Sequence, residues 1–265
     1  MTVLQTRLPA YPWMDPRLSR LPGILPFDRA EWLELDEAYA GQMAERDRLI
    51  AERPSDVLAL ADGVWPAAAE LYRTVLADLP GLGFRLSPTA AVRPDGVAVP
   101  LDPDRPLLTL GRLVQEDLCL MEPGGQGEHV LTGAVLCFPA SWTLAEKIGR
   151  PLIRIHAPVR DYDAGVAPRV QRLFDAIRPE RPLWRMNYNR YMTADLFQPR
   201  REGEPRPRPA GPAPYLRSER QCLLKLPETG AVVFSIHTYV VAMEALPETA
   251  RVALEDEAAI AGGAG

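Results

Sequence analysis

Apolar residues recur at helical spacing near the N-terminus and give way to alternating runs toward the C-terminus. Trp32, Leu35, Tyr39 and Met43 fall on one stripe of RAEWLELDEAYAGQMAERDRLIAE, residues 29–52. That spacing predicts an amphipathic helix with its stripe in the core. Asp28 stands where an N-cap belongs, and Glu31 three residues on completes a capping-box pattern. A second helix is predicted from Trp65 to Leu79, stopped by Pro80 and Gly81. Residues 82–114 hold short apolar pieces broken by Pro and Gly, so turns and one short strand are expected there.

The middle of the chain changes period. LVQEDLCLMEPGG predicts a strand running into a turn, and EHVLTGAVLCFPASW predicts its hairpin partner, ending at Pro139. Gly124, Gly125 and Gly127 supply the turn. Ser141 is the expected cap of a short helix, WTLAEKIG, that stops at Gly149. PLIRIHAPVRDY is expected as a loop or short turn. Val166, Val170, Leu173, Phe174 and Ile177 then mark a helix at about 165–177. Three strands close the pattern: PLWRMNYNRYM, YLRSERQCLLKL and AVVFSIHTYVVAM, the last two joined by a tight turn at Pro227–Gly230. REGEPRPRPAGPAP, between the first two, is an exposed low-complexity loop.

Helices, two strands, helices and three strands make an antiparallel sheet with one face covered, an α+β arrangement. The expected organisation is an extended N-terminal wrap over 1–27, a single domain over 28–246, and a C-terminal tail over 247–265 that is helical at best and disordered at its AGGAG end. No continuous apolar segment suits a secretory signal or a spanning helix, so the cytoplasm is the expected location and no membrane partner is expected. Lys+Arg 30 against Asp+Glu 35 leaves no basic excess for a phosphate backbone, which argues against nucleic acid. Cys119, Cys137 and Cys222 are too few and too far apart for a disulfide framework or an iron–sulfur motif, and read as buried thiols.

Candidate chemistry sits on the histidines and on the polar residues of the last strands. His129 starts a strand beside a loop and is expected to be exposed. His237 lies mid-strand. His156 lies in an irregular segment with Ile153, Ile155 and Val159 around it, which suits a neutral imidazole approaching a haem. In YLRSERQCLLKL, Arg217, Glu219 and Gln221 share one face, while Ser218, Arg220 and Cys222 share the other. Arg185, Asn187 and Asn189 share a face of the preceding strand. Such charge density in core-like strands fits either a solvated face or a polar pocket.

VQEDLCLM, GAVLCFPASWTLAEKIGRPLIRIHAPV, RPLWRMNYNRY and LRSERQCLLKLPETGAVVFSIHTYV follow, in order, the pattern of the haem-dependent oxidative N-demethylases, and LPFDRAEWLELDEAYAGQMAERDRLI is similar to them too. The resemblance covers about residues 10–245. It implies a PAS-like antiparallel sheet with covering helices and an N-terminal helical extension. It also implies haem b on a histidine axial ligand, here His156 with His237 as runner-up. The activity implied is oxidative demethylation of a small secondary amine such as dimethylamine by O2. Electrons would come from NADPH through FMN and an iron–sulfur centre on reductase-type partner subunits. On that basis Arg220, Glu219 and Tyr239 are the expected catalytic groups. Arg220 would face the oxygen, Glu219 the amine, and Tyr239 would stand in for the carboxylate if Glu219 faces solvent. Arg217, Arg185, Asn187 and His237 are expected around the cofactor. The alternative is a haem-PAS gas or redox sensor without turnover.

Overall fold

The structure, a computed structural model, describes residues 2–19, 23–125, 127–156, 167–205 and 211–262, leaving the side chains of residues 156, 167–169 and 257–262 undescribed. The N-terminal part holds α1 (Pro16–Ser19), β1 (Leu25–Pro26), α2 (Tyr39–Glu52), α3 (Pro54–Val57), β2 (Leu58–Leu60) and α4 (Trp65–Asp78). A small sheet follows, β3 (Arg85–Leu86), β4 (Ala90–Val92) and β5 (Ala98–Pro100), and then α5 (Pro106–Gly111). The hairpin β6 (Asp117–Pro123) and β7 (His129–Val135) leads into α6 (Leu144–Lys147), α7 (Leu152–His156) and α8 (Ala167–Ala176). The chain closes with β8 (Leu183–Tyr191), β9 (Tyr215–Lys225), β10 (Val232–Ala242) and α9 (Glu248–Gly262).

Among the described residues, seven strands form one antiparallel sheet in the order β1-β8-β9-β10-β6-β7-β2. The predicted hairpin and the predicted meander are thus joined edge to edge through β10 and β6, where Phe234 pairs with Cys119. The β8–β9 and β9–β10 registers run unbroken, from Leu183↔Leu223 to Tyr191↔Tyr215 and from Val232↔Lys225 to Ala242↔Tyr215. Unbroken register fixes which side chains share a face.

The sheet carries buried apolar clusters on both faces, not on one as expected. On the first face Leu118, Leu120, Cys222, Leu224 and Val233 meet Met43, Leu71 and Val75 of the N-terminal helices. On the second, Cys119, Met121, Leu223 and Ile236 meet Leu152, Phe174 and Ile177. The apolar stripe expected for a helix at 165–177 does this packing, although its Val166 lies outside the described residues. The N-terminal segment and α9 close one end, where Trp13, Met186, Tyr239 and Leu254 cluster and the Trp13 indole donates to Ala250 O at 2.8 Å.

Three local expectations are corrected. The helix predicted over 29–52 is a single 3-10 turn at Arg29–Glu31, then irregular chain, then α2. Asp28 does cap the turn, accepting from Ala30 N at 2.9 Å. Beyond it, Glu34 N donates to Glu116 Oε1 and Asp36 N to Gln115 Oε1, so side chains just ahead of β6 take N–H groups that a helix would have turned inward. Residues 82–114 hold three short paired strands and α5 rather than one strand, with Gly111 so close to β7 that an added Cβ would meet Val135 Cγ2 at 2.5 Å. Ser141 is not the cap of α6: its φ of 65° is left-handed, whereas the extended backbone a cap needs is found at Thr143. The predicted stop at Gly149 is present, with φ 72°. No helix among the described residues is long and apolar enough to cross a membrane.

Candidate functional site

Side chains on β8, β9 and β10 divide cleanly between the two faces. Cross-strand pairing puts Arg220 with His237 and Ser218 with Tyr239 on the first face. It puts Asn187 with Glu219 and Arg185 with Gln221 on the second, and Arg217 joins them by its pairing with Asn189. The expected catalytic set, Arg220, Glu219 and Tyr239, is therefore split. Arg185, Asn187, Arg217 and Glu219 are brought together.

The first-face group is an ion network that holds residues 31–38 on the sheet. Arg220 pairs with Glu34 at 3.2 Å and donates to the carbonyls of Trp32 and Glu31 at 3.0 and 2.8 Å. Its guanidinium also lies over the rings of Phe27 and Trp184. These contacts use the group inside the protein, so Arg220 secures the strap of residues 31–38. Ser218, on the same face as Arg220, donates to Asn187 O at 2.5 Å, and Cys222 packs in the core. Tyr239 OH donates to Glu34 Oε2.

His237, only 1% exposed, faces carboxylates with both ring nitrogens: Nδ1 to Glu116 Oε1 at 3.0 Å and Nε2 to Asp36 Oδ2 at 3.1 Å. Two acceptors require two N–H groups, so the ring is imidazolium and has no lone pair for a metal in this arrangement. Burial pulls its pKa down, but hydrogen bonds to Asp36 and Glu116 outweigh that and raise it to about 10. Burial also opposes ionisation of Asp36, yet the His237 hydrogen bond brings it down to about 2. Glu34 goes the other way, raised by burial despite His237 and Arg220.

A raised histidine pKa gives stability that is complete below about 6.5 and is lost as pH climbs through about 10. Thermal denaturation across that window should show stability falling by up to about 1.4 kcal/mol per pH unit from this group. His237→Gln should be less stable at pH 6.5 and should lack that component of the slope. Parallel stability curves for variant and wild type would refute the assignment. On the acid side Asp36, held down to about 2, contributes stability that is lost as pH falls from about 3.8 towards 2, while Glu34, raised by burial, acts in the opposite sense.

The second-face group is differently arranged. Glu219 Oε2 accepts from Asn187 Nδ2 at 3.0 Å and from Gln221 Nε2 at 2.9 Å. Arg217 reaches Glu219 Oε1 only at 3.5 Å, because its Nη1 and Nη2 serve the carbonyls of Leu196 and Phe138. Arg185, half-buried, has an Nε without a hydrogen-bond partner among the described residues. Burial lowers its pKa, with Glu219 opposing. A guanidinium with one unpartnered nitrogen, on the sheet face that also carries Leu223 and Ile236, suits a ligand with both an apolar body and an anionic edge. A haem with its propionates fits that description, so the residues present are compatible with the group.

His156 is the last residue of α7, and its side chain, with residues 157–166, lies outside the described residues. The helix that carries it is anchored. Lys147 Nζ donates to Ile155 O at 2.6 Å and pairs with Glu202 at 2.9 Å, and Arg154 pairs with Glu202 at 2.8 Å. His129, expected to be exposed, is buried at 5%: Gln171 of α8 hydrogen-bonds its Nδ1 at 3.0 Å and Phe174 packs on its ring. The three cysteines are buried and free, as expected, with burial pushing Cys137 and Cys222 up to about 12. No group of three or more His, Cys, Asp or Glu among the described residues could hold a metal ion by itself.

Sequence reasoning missed Gln115, Glu116, Lys147 and Glu202. Gln115 and Glu116 carried a visible signal, a polar run immediately before an apolar strand. Lys147 and Glu202 carried none, being 55 residues apart in sequence. Compared with known proteins, residues 23–264 match a family model described as haem-dependent oxidative N-demethylase, alpha subunit-like.

Proposed function

The chain belongs to the haem-dependent oxidative N-demethylase, alpha subunit-like family, and we propose that it is the haem-carrying subunit of a cytoplasmic oxidase that demethylates a small secondary amine such as dimethylamine. The reading includes a PAS-like sheet, haem b, dioxygen as oxidant, and NADPH-derived electrons delivered through FMN and an iron–sulfur centre on partner subunits. The carrying observation is the second face of the sheet. There a carboxylate and a guanidinium with an unpartnered nitrogen share a sheet face with Leu223 and Ile236, the side that packs against the α7–α8 region.

Haem, when bound, supplies the redox chemistry. The chain's own residues supply position and charge. His156, carried at the anchored end of α7, would hold the haem iron. Arg185 is the proposed partner of a propionate, with Arg217 behind it. Glu219 Oε1 is the proposed acceptor for an ammonium N–H and for the proton the amine gives up before it is oxidised. Leu152, Phe174 and Ile236 exclude water from that side. Arg220, His237 and Tyr239 belong to the strap network and take no direct part in this reading. Dimethylamine, O2, two electrons and two protons balance to methylamine, formaldehyde and water.

The test is hemin-loaded protein supplied with dimethylamine, O2 and a surrogate flavin reductase with NADPH. Formaldehyde formed in step with amine-dependent oxygen uptake is the expected result. Bound haem without amine-dependent uptake would overturn the catalytic reading in favour of a haem sensor.

A further inference from the structure

Asn187 sits across from Glu219 in the β8–β9 ladder and touches it twice. Its Oδ1 accepts from Glu219 N at 3.1 Å, and its Nδ2 donates to Glu219 Oε2 at 3.0 Å. Only the amide oxygen can accept from an N–H, so the backbone fixes which way the amide points and turns its NH2 to the carboxylate. Gln221, two residues along the same face of β9, adds a second donor to the same oxygen at 2.9 Å. Oε2 thus holds two amide donors. Among the described residues Oε1 has only the distant Arg217 Nη2, which already serves Phe138 O. One carboxylate oxygen is tied down and the other keeps lone pairs to offer, in a residue only 7% exposed.

We propose that Asn187 and Gln221 are positioning residues which hold Glu219 so that Oε1 alone is presented to a ligand, making this site selective for a small cation that carries an N–H. The inference rests on the reading of Glu219 as the ammonium acceptor and assigns the selection to its two neighbours. A carboxylate free to rotate would share its charge between two oxygens and between several ligand poses. A pinned one gives a single direction, and a protonated secondary amine can meet it with an N–H. A neutral molecule of the same shape cannot. In this arrangement Asn187 serves the carboxylate and not a haem propionate.

The experiment is equilibrium calorimetry on hemin-loaded protein at pH 7, titrated with dimethylammonium chloride and, separately, with the near-isosteric neutral dimethyl ether. Wild type should bind the ammonium at least tenfold more tightly than the ether. Glu219→Gln should erase that preference. Gln221→Met, which keeps length and removes the donor, should weaken ammonium binding about tenfold, the loss expected for one hydrogen bond to a charged group. It should leave ether binding and the haem spectrum unchanged. Asn187→Ala should act in the same direction. Gln221 is half-buried on the sheet surface, so its variant keeps the test decisive if Asn187→Ala misfolds. Wild type that prefers the ammonium, with Gln221→Met binding it equally well, would overturn the positioning role and leave Glu219 in place. Wild type with no preference would overturn both.

Discussion

Alanine in place of His156 is expected to leave a folded protein that does not retain haem. The expectation separates ligand loss from unfolding because the neighbouring chain is secured by other groups. Lys147 holds the carbonyl of Ile155, and Glu202 bridges Lys147 and Arg154. None of those contacts uses the imidazole of His156. The variant should therefore melt with the apo wild type while its affinity for hemin falls by more than about 100-fold, a loss beyond that typical of supporting residues around a metal site. His129→Ala should behave oppositely. It removes a buried ring packed on Phe174 and bonded to Gln171, so stability should fall while the haem spectrum stays. An unchanged spectrum in His156→Ala, with loss of haem in His237→Ala, would reverse the ligand assignment.

The second large effect is expected at Asp117. Arg46 and Asp117 are 0% exposed and 2.7 Å apart, the most deeply buried ion pair among the described residues. Burial raises the Asp117 pKa, against the pull of Arg46 and of the Cys137 and Phe138 amides that it accepts at 2.7 and 2.9 Å. Asp117→Ala strips a charge partner from Arg46 and an acceptor from two amides. Breaking a buried pair from one side costs about 3–5 kcal/mol, because the remaining charge stays desolvated. The damage should also reach the second face, since the carbonyl of Phe138 is the one that Arg217 donates to. Denaturant unfolding is the measurement. A change under 1 kcal/mol would mean that the pair is not held as described.

How much of this was legible beforehand depends on where each partner lay. The strands of the meander could be read from alternation alone, because each is long and its turn is marked by Pro227 and Gly230. Period 2 also foretold that Arg220 would lie opposite Arg217 and Glu219, and the unbroken register keeps it there. Which face formed the pocket could not be read. That depended on Glu34 and the carbonyls of Glu31 and Trp32, nearly 190 residues away, arriving to take up Arg220. The over-long helix has the same cause: residues 32–38 have helical spacing, yet their N–H groups find Glu116 and Gln115. Arg46 lies on the stripe that continues Tyr39 and Met43, a position reserved for apolar residues unless a distant counter-charge exists. Asp117 is that counter-charge, and no local pattern links the two.

The central claim is that this chain carries haem, and an absorbance titration of purified apoprotein with hemin tests it most directly. A Soret band that rises linearly and breaks at one hemin per chain, and that is missing from the His156→Ala variant, is the predicted result. A titration with no saturable Soret band, in protein that circular dichroism shows to be folded, would contradict it.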